Sequence, residues 1–201
     1  MYDLKGVIQW AIDAGYTSIY LEGHSSGANK IVFSYDELRK EKTFINKVKG
    51  IILISPCDDI GIYHNETNIS ERQKSFALAN KYIDEGNGKC LMPLGTFFDY
   101  FLSADTFVDS FSEGSALDMF PYRKGNLFGT KINNIPLPML IQFGNNGEFV
   151  LQDLKDIEKM YLEIGKNNFK MQVINNAGHS YKNHENELAM NIIQWIKGIE
   201  K

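Results

Sequence analysis

The chain has 201 residues, 43% of them hydrophobic, which suffices for one globular domain or one domain with an insertion. Its net charge of −4, with 23% charged residues, argues against a nucleic-acid partner, since phosphate binding needs a clustered positive field. Two distant cysteines, Cys57 and Cys90, lack metal-site or disulfide-framework spacing, and no apolar run approaches the roughly 18 residues of a membrane span.

The N-terminal helical pattern places Leu4, Val7, Ile8 and Ala11 on one face. Because Met1 to Trp10 carries Asp3 and lacks a basic flank before an apolar stretch, it does not read as a signal peptide, and the expected compartment is cytoplasmic. Ser18 to Glu22 follows as a short apolar strand, read as buried on both faces. A helix and loop over Ser26 to Lys40 lead to a second buried strand, Gly50 to Ser55. The basic stretch Leu38 to Lys49 is broken by Glu41 and reads as a solvated helix end.

Residues 61–131 break the strand–helix rhythm. Asn68, with Glu71 three residues on and Gly86 beyond, brackets a helix to about Glu85. Phe97, Phe98, Tyr100, Phe101, Phe107 and Phe111 follow in a polar setting. This segment is expected to be a mainly helical lid over the strand ends. Beyond it come a strand from Leu137 to Phe143, a helix patterned by Leu151, Leu154, Ile157 and Tyr161, and a strand from Lys170 to Ile174. A last helix carries Leu188, Ile192, Trp195 and Ile196 on one face. Strands alternating with helices specify an α/β domain with a mostly parallel sheet flanked by helices.

Gly23-His24-Ser25-Ser26-Gly27 fits G-x-S-x-G directly after a strand and at the start of a helix. A serine there stands on a tight turn aimed outward. Gly23 and Gly27 are read as the small neighbours that let the backbone pass closely. The N–H of Ser26 is then a donor for a tetrahedral oxyanion. A serine hydroxyl needs a base. His179, in Asn175-Asn176-Ala177-Gly178-His179 after the fourth strand, has the right place in chain order. His24 reads as packing within the elbow, and His64 and His184 as solvated. The triad acid should follow the third strand, where Phe143-Gly144-Asn145-Asn146-Gly147-Glu148 offers Glu148. Asp58 or Asp59, after the second strand, are the alternatives, with turn or helix capping as their other reading.

The segment Gly23 to Lys30, together with Leu53-Ile54-Ser55-Pro56 and Ala177-Gly178-His179-Ser180-Tyr181, resembles α/β-hydrolase-fold esterases. It is most similar to a lipase- or esterase-like group whose elbow reads Gly-His-Ser-x-Gly-x-x-Lys. The resemblance implies a serine esterase forming an acyl-enzyme on a small-molecule ester, with no cofactor and no metal. It also implies an Asp where Gly147 stands, so Glu148 substitutes from the next position or the triad is defective. Finally, it implies a sheet of about eight strands with a loop supplying the second oxyanion donor. This chain opens just before the elbow strand, so it reads as a partial fold completed by a missing N-terminal segment or a second chain. The alternative function is a catalytically impaired remnant or binding subunit.

Overall fold

The structure, a computed structural model, describes residues 2–97, 100–129, 131–163 and 168–200. Four parallel strands, β1 (Ile19–His24), β2 (Val48–Ile54), β3 (Met139–Gly144) and β4 (Phe169–Ile174), lie in the order β1-β2-β3-β4. Helices α1 (Tyr2–Asp13), α2 (Ser26–Leu38) and α3 (Lys42–Ile45) flank the first two strands in sequence. The sheet is therefore parallel, as strand–helix alternation requires.

The two-residue period of the strands builds two cores. Ile51 and Leu53 of β2 and Met139, Ile141 and Phe143 of β3 face Ile8 of α1, Ile31, Val32 and Tyr35 of α2, and Ile157 and Tyr161 of α7 (Leu154–Glu163). Their neighbours Ile52, Ile54 and Leu140 face Trp195, Leu188, Ile192 and Ile196 of α8 (Glu185–Ile199). A strand buried on both sides cannot alternate apolar with polar, so residues 51–54 of β2 and 139–141 of β3 read as continuous apolar runs.

Three sequence expectations fail here. β1 is not buried on both faces: Leu21 and Gly23 are buried, but Glu22 and His24 are exposed. α8 reaches that face only as far as Tyr20, and among the described residues no strand pairs with the outer edge of β1. Val7 leaves the buried face of α1, since Leu4 and Ile8, one turn apart, take the contact with the core. Leu151 is exposed because α7 starts at Leu154, and the spacing of Leu154, Ile157 and Tyr161 carries the buried face alone.

Between β2 and β3 the chain forms α4 (Asp59–Glu66), α5 (Ile69–Asp84), α6 (Ala104–Phe111) and two short 3₁₀ segments, Tyr122–Gly129 and Ile132–Asn134. Asn68 and Glu71 cap α5 reciprocally, side chain to backbone, at 2.9 and 2.8 Å. A third apolar cluster ties α4, α5 and α6 together through Tyr63, Ala79, Phe107 and Phe111. Among the described residues no helix is long and apolar enough to cross a membrane.

Candidate active site

β1 stops at His24 and α2 starts at Ser26, leaving Ser25 alone on the turn with φ 56°. A left-handed conformation costs a non-glycine residue about 1–3 kcal/mol, so the surroundings must hold it. Ser25 N–H donates to Ile54 O at 2.9 Å, and Ser25 O accepts from Ala28 N–H at 2.9 Å. Gly23 is obligatory, because a Cβ there would lie 2.4 Å from Gly27 O. The expectation for Gly27 itself is corrected: a Cβ at Gly27 would meet nothing within 4 Å. The crowding comes from the Gly27 backbone pressing on Gly23, not from any contact at the Gly27 α-carbon.

The imidazole comes from the loop after β4. A Cβ on Gly144 would sit 2.2 Å from Ala177 O, so the end of β3 and this loop meet at backbone contact. Asparagines stitch the two loops together. Asn176 N–H donates to Asn145 Oδ1 at 2.6 Å, Asn145 Nδ2 donates to Asn175 Oδ1 at 2.9 Å, and Asn146 N–H donates to Ala177 O at 3.0 Å. Gly147, at φ 77°, turns the chain back so that Glu148 reaches the imidazole.

Glu148 Oε2 accepts from His179 Nδ1 at 2.8 Å. Its Oε1 accepts from Ser55 Oγ and from Gly144 N–H, both at 2.7 Å. The Tyr181 hydroxyl lies 2.7 Å from Ser55 Oγ and donates to Gln142 O at 3.1 Å. Burial of Glu148 would raise its pKa, but the hydrogen bonds from His179, Ser55 and Gly144 outweigh it and hold the carboxyl below its ordinary value. An ionised carboxylate only accepts, so Nδ1 of His179 carries the proton and Nε2 of the neutral ring is left to accept one. His24 Nε2 donates to the carbonyl of His179 at 2.8 Å, with the two rings 4.8 Å apart. His24 therefore supports the imidazole loop as well as the elbow.

Asp58 and Asp59 stand elsewhere. Asp58 caps α4, accepting from Gly61 N–H at 2.8 Å, and pairs with the Arg123 guanidinium. It is buried and spent on structure. Asp59 faces the cavity that holds Ser25 and His179, with Oδ2 accepting from Asn29 Nδ2 at 2.7 Å. Burial, and secondarily the charge of Asp58, push the Asp59 carboxyl up to about 7. Cys57 lines the same cavity, and burial raises its thiol pKa, which keeps the thiol protonated.

The cavity, of about 300 Å³, is lined by Ser25, Ser26, Cys57, Asp59 and His179 together with Ile62, Phe97, Tyr100, Leu117 and Phe149. Of the aromatics singled out between 97 and 111, Phe97 and Tyr100 line it, Phe107 and Phe111 are core, Phe101 is exposed, and Phe98 lies outside the described residues. Among the described residues no group of three or more His, Cys, Asp or Glu side chains could hold a metal ion. Sequence reasoning missed Asn29, Asn145 and the roles of Ser55 and Tyr181. Asn29, Ser55 and Tyr181 sit inside the stretches that carried the resemblance, which was the available signal.

No family model matches the chain, and no curated protein matches it in sequence. Solved structures do match in shape. The monoacylglycerol lipase of Paleococcus ferrophilus superposes with a TM-score of 0.57 at 15% identity, over 98% of this chain and 74% of that one. A soluble variant of monoglyceride lipase from Saccharomyces cerevisiae, in complex with a substrate analog, gives 0.56 at 13% identity, over 98% and 67%. Est1E from Butyrivibrio proteoclasticus gives 0.56 at 16%, again over 98% and 67%. Identities this low speak to architecture, and on architecture they agree: the chain has the α/β-hydrolase fold.

Proposed function

We propose that the protein is a serine hydrolase that cleaves carboxylic esters through an acyl-enzyme on Ser25. His179 acts as general base and acid, and Glu148 orients it. What carries the reading is the 2.8 Å contact from His179 Nδ1 to Glu148 Oε2, in a loop whose imidazole shares one cavity with the left-handed Ser25.

In this mechanism His179 Nε2 takes the Ser25 hydroxyl proton as Oγ attacks the ester carbonyl carbon. The carbonyl electrons move to oxygen, and the N–H of Ser26, at the start of α2, stabilises the oxyanion. As the tetrahedral intermediate collapses, the bond to the alcohol oxygen breaks and His179 returns its proton to that oxygen. Water then attacks the acyl-enzyme by the same route, releasing the acid and restoring Ser25. The apolar wall of Ile62, Phe97, Leu117 and Phe149 suits an acyl or aryl group lying beneath residues 61–131. The fold likeness to lipases and esterases supports the reaction class without naming a substrate.

A fluorophosphonate probe and a short p-nitrophenyl ester test this directly. The wild-type chain should label at Ser25 and turn the ester over, while Ser25→Ala, folded, should do neither. His179→Gln should cost orders of magnitude in kcat. Turnover by Ser25→Ala at the wild-type rate would place the nucleophile elsewhere, and absence of labelling in a folded sample would leave a non-catalytic binding protein as the better reading.

A further inference from the structure

Asp59 is not needed for the triad, yet it stands in the same cavity as Ser25 and His179. Asn29 holds it. That asparagine is fully buried, and its amide orientation is fixed from both ends: Oδ1 accepts from Met119 N–H at 3.1 Å, while Nδ2 donates to Cys57 O at 3.2 Å and to Asp59 Oδ2 at 2.7 Å. The second carboxyl oxygen of Asp59 has no hydrogen-bond partner among the described residues. It is also not sealed off, being absent from the buried polar atoms that lack partners. A carboxyl that lines a cavity with one oxygen pinned and the other left without a hydrogen-bond partner is expensive to keep, since charge buried without a counterpart destabilises the fold. Capping of α4 does not explain it, because Asp58 provides that cap.

We infer that Asp59 is a specificity-determining residue of the Ser25 cavity: its free oxygen accepts a hydrogen bond from a hydroxyl or ammonium group on the ester substrate and turns away esters bearing a carboxylate. The inference rests on the ester-hydrolase reading and deepens it by naming a substrate class, esters with a hydrogen-bond donor on the part that enters the cavity. Beyond Ser25, Ser26, Cys57 and His179, the lining gives no competing polar anchor of comparable strength, as Ile62, Phe97, Leu117 and Phe149 are apolar and Tyr100 offers only a phenol.

The test uses p-nitrophenyl esters with matched acyl chains, some short and some longer, ending in methyl, hydroxyl, ammonium or carboxylate. Assays run at pH 8.5, where Asp59 is ionised. In the wild-type chain kcat/KM for the hydroxyl and ammonium esters should exceed that for the methyl ester, and the carboxylate ester should fall below it. Each step should be roughly tenfold or more, the scale of one charge-assisted hydrogen bond. In Asp59→Asn the ammonium-to-methyl and carboxylate-to-methyl ratios should both move to near one. Ratios that stay at their wild-type values in the variant overturn the inference. A second measurement needs no variant: hexylammonium should protect wild-type Ser25 from the fluorophosphonate better than hexanoate does, and equal or reversed protection also overturns it. Labelling separates the two failures. Labelled chain with flat ratios or equal protection sinks the role of Asp59 alone, whereas a folded chain that neither labels nor hydrolyses any ester sinks the hydrolase reading and this inference with it.

Discussion

His24 Nε2 donates to the backbone carbonyl of His179 at 2.8 Å, so the residue before the elbow serine holds the loop that carries the imidazole. A carbonyl can only accept, which fixes the proton on Nε2 of His24. The two ends of the candidate site, 155 residues apart in sequence, are thereby locked in mutual position.

We expect His24 to act as a positioning residue. His24→Phe keeps a ring beside His179 but removes the donor. It should lower kcat by about tenfold, up to roughly 10²-fold for a displacement near 1 Å, with KM changed far less. The melting temperature should move little, because His24 is exposed. Parallel changes in kcat and KM, or a large drop in melting temperature, would assign it a merely structural role.

Two of the three carboxyls near the site, Glu148 and Asp58, should separate cleanly on substitution. Glu148→Gln keeps the shape of the side chain but disturbs the tautomer of His179, and should cost about 10²–10⁴ in kcat. Asp58→Asn should instead cost stability, on the order of 3 kcal/mol, because it breaks a buried pair with Arg123. The cost should lie at the low end for such pairs, since Asp118 also neutralises Arg123 at 2.7 Å. Kinetics and a denaturant melt on both variants check this, and the reverse assignment would move the triad acid to the end of β2.

These carboxyls also mark how far the sequence could be read. The strands and the elbow were legible, because a glycine-flanked serine between an apolar strand and a helix has few other physical explanations. Which acid meets the imidazole was not. Glu148, Asp58 and Asp59 all follow strand ends, and sequence carries no distances. The stitching of Asn145 to Asn175 and Asn176 joins side chains about thirty positions apart, with no periodicity to announce it. β1 misled on the burial of its faces alone: a short apolar run reads as covered on both sides, but α8 reaches only as far as Tyr20 and leaves Glu22 and His24 exposed on this edge of the described sheet. Gly27 misled because its backbone, not its missing side chain, makes the close contact.

That edge predicts behaviour in solution. An unpaired strand edge offers backbone donors and acceptors to another chain, and Val7 and Trp10 of α1 add exposed apolar surface in the same part of the chain. The isolated 201-residue chain should associate, with a sedimentation coefficient that rises with concentration in the micromolar range. Supplying strands that pair with β1 should suppress this association and raise activity. A monodisperse monomer with a sharp, high melting transition would mean that the edge is not available for pairing.

Asp59 contributes a pH dependence of stability whose sign is opposite to that of an ordinary paired carboxylate. Its pKa rises from 3.8 to about 7 on folding, chiefly through burial. Across that interval the folded chain holds a proton that the unfolded chain has released, so the unfolded state binds fewer protons and stability falls as pH rises from 3.8 to about 7. Glu148 works the other way. Its folded pKa lies below the ordinary 4.5, so its contribution is present above that value and is lost as pH falls through the folded pKa. Asp59→Asn removes the first effect and leaves the second. The variant should therefore melt at a higher temperature than wild type at pH 8, and the two curves should converge near pH 4. The variant keeps an amide oxygen to accept from Asn29 Nδ2, so lost packing cannot mimic the result. Thermal melts of both proteins from pH 4 to 8 decide the matter, and parallel curves would show that Asp59 is ionised throughout and that its environment is wetter than the cavity geometry indicates.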